Sequence, residues 1–133
     1  MRDSNYKLLV KPKQLHWLGI LFYSAQVIYP HIIIPEFLKD KIAAGEPKSV
    51  AILVHEITHL KRIRDRGIAL WYLSYIFVPK FRLAEEIFAY REEINMLEEN
   101  GVDYDIDKYT EKLSSWVYLK MVSKEKAEKL LKA

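Results

Sequence analysis

The chain has 133 residues, half of them hydrophobic, enough for one modest core but not for a separate substrate-binding lobe. Its net charge of +3 comes from basic residues scattered among acidic ones, with no basic patch interleaved with aromatics, so nucleic-acid binding finds no support. Cysteine is absent, which excludes a disulfide frame and any Cys-held zinc site and fits a reducing cytoplasm.

The expected fold class is α+β. Residues 6 to 10 and roughly 18 to 34 favour strands, being rich in Tyr, Val, Ile and Phe and punctuated by Pro12, Gly19, Pro30 and Pro35. These form a small, mainly N-terminal sheet packed on the helix that follows. The opening residues Met1 to Tyr6 lack the charged-then-apolar pattern of a signal peptide. The apolar run from Trp17 to Ile34 is broken by Gln26, Pro30 and His31, and a second run, 68 to 78, falls short of the ~20 residues of a spanning helix. No stable membrane insertion is expected.

A helix is predicted between Pro47, suited to a first turn, and Gly67, suited to the position just past the end. Its apolar residues (Val50, Ile52, Leu53, Val54, Ile57, Leu60, Ile63) cover most of the circumference, which predicts burial on nearly all sides. Inside it lies His55-Glu56-Ile57-Thr58-His59, an instance of HExxH. Side chains four apart share a helix face, so both imidazoles can reach one zinc ion while Glu56 points at the water it activates. Without a common partner, two histidines and a glutamate would be costly to bury there.

The run 68 to 78 fits a loop, a strand or a short helix. Pro79 leads into a second long helix, about 81 to 99, closed by Asn100-Gly101. The last third opens with Asp103, Asp105 and Asp107, then shows a helical pattern through Tyr109, Leu113, Trp116, Val117 and Met121; Ser123 suits the cap of a final helix ending near Lys132. The division is 1–101 as a catalytic unit and 102–133 as a C-terminal helical segment.

A catalytic zinc site has three protein ligands and an open position, so a third ligand is required. Asp65 stands at the offset used in metzincin-like proteins, but those turn sharply at a Gly where this chain has Arg62. The second helix offers Glu85 and Glu86. Leu83, Ile87, Tyr90, Ile94 and Leu97 define its apolar stripe; Glu86 lies about 60° from the centre and Glu85 some 160° away, toward solvent. Glu86 is therefore the expected ligand. Glu93, two turns further on the same side, is a candidate to orient a ligand, with a solvated carboxylate the favoured reading.

HExxH followed on a separate helix by Glu86-Ile87-Phe88-Ala89, an ExxA pattern, resembles the gluzincin tribe of metallopeptidases. The compact size is most similar to the minigluzincins, minimal soluble relatives of the catalytic domains of certain integral-membrane peptidases. The resemblance spans about residues 28 to 97; its motifs are specific for zinc and vague about substrate. It implies a zinc metallopeptidase with His55, His59 and Glu86 as metal ligands and Glu56 as general base, acting on peptides or proteins. Minigluzincins are similar in having C-terminal segments linked to latency, so residues 102–133 are read either as a helical cover that stabilises the small core or as a segment lying over the cleft, with Asp103, Asp105 or Asp107 near the metal. Membrane-peptidase relatives often have Asp where this chain has Tyr90, so the group that orients the zinc histidines is left unassigned. For the oxyanion donor, His31, Tyr72, Tyr104 and Tyr109 are all candidates. The substrate is expected to lie along a sheet edge near Ile28 to Ile34. A homodimer through the C-terminal helix stays open, and the alternative function is a zinc-stabilised interaction or regulatory protein acting on one dedicated partner.

Overall fold

The computed structural model describes residues 7–10, 26–115 and 121–133. The class is α+β: a three-stranded sheet and, among the described residues, six helices. Strands β1 (Lys7–Val10), β2 (Gln26–Ile28) and β3 (His31–Ile34) are followed by α1 (Glu36–Ala43), α2 (Pro47–Arg66), α3 (Ile68–Phe77), α4 (Pro79–Glu99), α5 (Ile106–Leu113) and α6 (Lys124–Lys132). Strand expectations for 18 to 25, and the helical positions Trp116 and Val117, lie outside the described residues.

The sheet order is β1-β3-β2, with β1 parallel and β2 antiparallel to β3. This corrects one expectation. Ile28 to Ile34 does not form a free edge, because β3 is the central strand and pairs on both sides. The edges are β1 and β2. Alternation along β3 buries Ile32 and Ile34 on one face, where they join Ile57 and Leu60 of α2 in an apolar cluster.

The ends of α2 follow from its sequence: Pro47 occupies the first turn, and Gly67 adopts φ 102°, a conformation that side chains with a Cβ rarely take. The chain then restarts at once as α3, which resolves the open reading of 68 to 78 as helix. Helix α1 carried no helical expectation; with eight residues and only Leu38 buried, it gives a short window too little apolar periodicity to read. Helix α4 ends in a Schellman motif, with Gly101 at φ 66°, Gly101 N–H bonded to Glu98 O and Val102 N–H to Leu97 O.

Helix α4 is covered on two faces. Leu83, Tyr90 and Ile94 pack with Leu113 of α5 and with Val122, Ala127 and Leu131 from and around α6. The neighbouring face, bearing Glu85, Glu86, Ala89 and Glu93, is buried as well and carries the contacts to α2 described below. Ser123 caps α6, as its position predicts, accepting from Lys126 N–H. No helix among the described residues is long and apolar enough to cross a membrane.

Candidate metal centre

His55 and His59 lie one turn apart on α2, both buried, with their Nε2 atoms 3.2 Å apart. Glu86 of α4 meets them both: Oε2 is 3.0 Å from His55 Nε2 and Oε1 is 3.0 Å from His59 Nε2. One ligand atom from each residue can be chosen so that all three lie within 4.8 Å of one another. Two nitrogens bound at about 2.0–2.1 Å to one tetrahedral ion stand roughly 3.3 Å apart, so this spacing suits such an ion without rearrangement. The donor set, two imidazoles and a carboxylate, suits a metal of borderline hardness.

The charges of the cluster are strongly coupled. Burial alone would make His55 less basic, but its contacts with Glu86 and Glu93 outweigh this and raise its pKa to about 10. Burial also works to raise Glu86, yet the two histidines hold it well below the usual carboxylate range. Glu56, on the same helix as the histidines, is pushed up by burial to about 7 against the pull of His55 and His59. It lines the same cavity, of about 760 Å³, as the three clustered residues. A carboxyl group poised near neutrality beside that space can both take and return a proton.

Surrounding side chains orient the cluster. His55 Nδ1 lies 3.4 Å from Glu93 Oε1, and the Tyr109 hydroxyl of α5 donates to the other Glu93 oxygen. The favoured reading of Glu93 as a solvated carboxylate is thus overturned, because α5 covers this side of α4 and seals it from water. Burial, then the Glu93 charge and this hydrogen bond, push the Tyr109 phenol pKa upward. Tyr90 sets its ring edge-on to His55 at 4.5 Å. From α3, Trp71 packs against His59 at 5.7 Å and stacks on Tyr75, whose hydroxyl donates to Glu86 Oε1 at 2.6 Å.

Glu85 is also corrected. Expected to face solvent, it is 1 % exposed and accepts a hydrogen bond from Arg62 Nε of α2. The apolar stripe of α4 faces the C-terminal helices, so the face turned to α2 is the one bearing the carboxylates. Asp65 lies exposed beside Arg64 and has no place in the cluster. Asp103, Asp105 and Asp107 are exposed and outside it too; Asp105 instead caps α5, accepting from Asp107 N–H at 3.0 Å.

Of the candidate oxyanion donors, Tyr72 is bonded to the backbone of Val27 in β2 and of Tyr29 just after it, Tyr104 to Glu98 and Tyr109 to Glu93, while His31 does not line the cavity. Tyr75, which sequence reasoning missed, has its hydroxyl on Glu86 itself. Its spacing from Trp71, four residues on one helix, was the available signal, but no helix was assigned there. No family model, curated protein or solved structure matches the chain.

Proposed function

We propose that the chain is a zinc-dependent metallopeptidase of the gluzincin type, with His55, His59 and Glu86 holding the ion and Glu56 as general base. The observation that carries this reading is the convergence of two imidazoles and a carboxylate from two helices, with a second carboxyl group, Glu56, whose pKa is raised to about 7, lining the same cavity. Zinc, when bound, supplies a Lewis acid that makes water more acidic and polarises a carbonyl. Glu56 takes the proton of the attacking water as its oxygen bonds to the carbonyl carbon, and delivers it to the amine nitrogen as the C–N bond breaks. Glu93 fixes the His55 ring, and the Tyr75 hydroxyl fixes Glu86. The small sheet, α2 and α4 form the scaffold, as in the minigluzincins that the sequence resembles.

Latency through the C-terminal segment belongs to the same proposal. It is supported by α5, whose Lys108, Tyr109 and Lys112 wall the cavity. The double variant Lys108→Ala/Lys112→Ala, at exposed positions, opens that wall at the loss of one core contact, the Lys112 ammonium over the Tyr90 ring, and should raise activity if the segment restrains the enzyme.

The test of the main reading is zinc binding at one ion per chain together with hydrolysis of a denatured protein substrate. Glu56→Gln should keep the zinc and lose hydrolysis by at least about a hundredfold. A zinc-stabilised interaction protein, the alternative, would bind the ion and show no hydrolysis to lose.

A further inference from the structure

Helix α3 carries no charged residue and turns apolar side chains outward as well as inward. At roughly 100° per residue, Leu70, Leu73, Ile76 and Phe77 fall within about one third of its circumference. They are 56–73 % exposed, whereas Trp71 and Tyr75 on the opposite side reach His59 and Glu86. A contiguous apolar face of this kind on a small domain marks a surface with a partner.

The surroundings of that face are basic. Between Gly67 and Ala84 the sequence has no Asp or Glu, and Arg66 and Lys80 flank the helix. Both are exposed, and neither forms an ion pair among the described residues. Arg66 lies over the Phe81 ring at 4.7 Å, which brings it to the first turn of α4, where Lys80 also stands. Asp65, next to Arg66 in the chain, faces Arg64 instead. Arg82 donates to the carbonyls of Tyr75 and Ile76 at 3.1 and 3.3 Å, adding a third cation at the C-terminal end of α3.

We propose that α3 is a membrane-docking helix, which lies in the plane of an anionic lipid bilayer with Leu70, Leu73, Ile76 and Phe77 among the acyl chains and Arg66 and Lys80 at the headgroups. Its ten residues make about 15 Å of helix, half of a bilayer's hydrocarbon thickness, so α3 rests in the surface and does not cross it. A second copy of the chain fits this face less well, because it would set Arg66 and Lys80 against the same cations of the other copy. A protein partner would also need polar groups to fix its register, and no polar side chain lies among the four apolar ones. Docking does not depend on which reaction the metal cluster performs, and it holds that cluster one helix away from the lipid.

The full chain should sediment with vesicles of equal parts phosphatidylcholine and phosphatidylglycerol, at least about tenfold less with phosphatidylcholine alone, and added salt should release it. Leu73→Gln/Phe77→Gln, at exposed positions of a helix, should lower the partition coefficient at least about tenfold. Lys80→Glu should lower it about tenfold on the anionic vesicles and leave the weak binding to phosphatidylcholine unchanged. Urea midpoints report whether the variants fold; if the double variant does not, Lys80→Glu still decides. A chain that stays in solution with anionic vesicles overturns the proposal, as does equal binding to both lipids or undiminished binding by the folded variants. So does a dimer in place of vesicle binding, dissociated by the double variant, which would make the face a contact between copies.

Discussion

His55 and Glu93 form the relationship on which the candidate centre turns: Nδ1 of the ring sits 3.4 Å from a buried carboxylate oxygen, leaving Nε2 aimed at His59 and Glu86. A carboxylate behind a ligating imidazole fixes its tautomer and raises its basicity. Glu93→Gln should therefore weaken zinc binding about 10- to 100-fold while leaving the fold intact. Competition with a chromophoric chelator measures it; an unchanged affinity would remove Glu93 from the centre.

Zinc uptake should release protons. In the metal-free chain His55 keeps its proton up to about pH 10, so near pH 8 an ion arriving at Nε2 displaces it, and affinity rises with pH over this range. Calorimetry in buffers of different ionisation enthalpy should show about one proton released per ion. Heat independent of the buffer would contradict the raised pKa.

Metal-free stability has its own pH dependence. His55 is raised from 6.5 to about 10 and Glu56 from 4.5 to about 7. Both contributions are complete below the unfolded values and are lost as pH climbs through the folded ones. Glu86, held low, works oppositely and is lost as pH falls below about 4.5. Urea midpoints of the metal-free chain should thus decline from about pH 5 to 10, whereas those of the zinc-loaded chain should stay nearly flat across the upper part of that range.

Arg62 and Glu85 supply a test away from the cluster. Arg62→Ala strands a buried carboxylate; because the Arg62 side chain is 34 % exposed and water can enter, the expected cost is about 2 kcal/mol rather than that of a fully buried pair. Arg62→Leu/Glu85→Leu should recover most of it, since no charge is then left inside. Chemical denaturation of the two variants distinguishes a paired carboxylate from one whose partner is dispensable.

Deleting residues 102–133 should unfold the protein rather than activate it. The deletion strips Leu113, Ala127 and Leu131 from Leu83, Tyr90 and Ile94, exposing a whole face of α4 at a cost of several kcal/mol, on the order of the total stability of a small domain. A folded, active truncation would show that the C-terminal helices are a cover and not part of the core.

HExxH, the Pro47 and Gly67 boundaries of α2, the near-span of α4 and the Ser123 cap were legible because each depends on residues close together in the chain. Helical period placed His55 and His59 on one face and Glu86 near the border of its stripe, but the same reading sent Glu85, which is buried beside α2, to solvent. Glu85, Glu93 and Tyr75 were not legible in the same way. Their surroundings depend on which neighbours cover α4 and on α3 being a helix, and a period within one segment carries no information about what packs on it.

The sequence by itself therefore determined the local geometry: where α2 starts and stops, and which of its side chains can share an ion. Only the tertiary structure decided that α4 is enclosed on two faces, so that carboxylates rather than its apolar stripe confront α2, and that β3 is central, leaving β2 as the edge beside the cavity. The physical reason is that burial and strand pairing are properties of contacts between distant segments, and a polar residue is tolerated inside wherever such a contact supplies its partner.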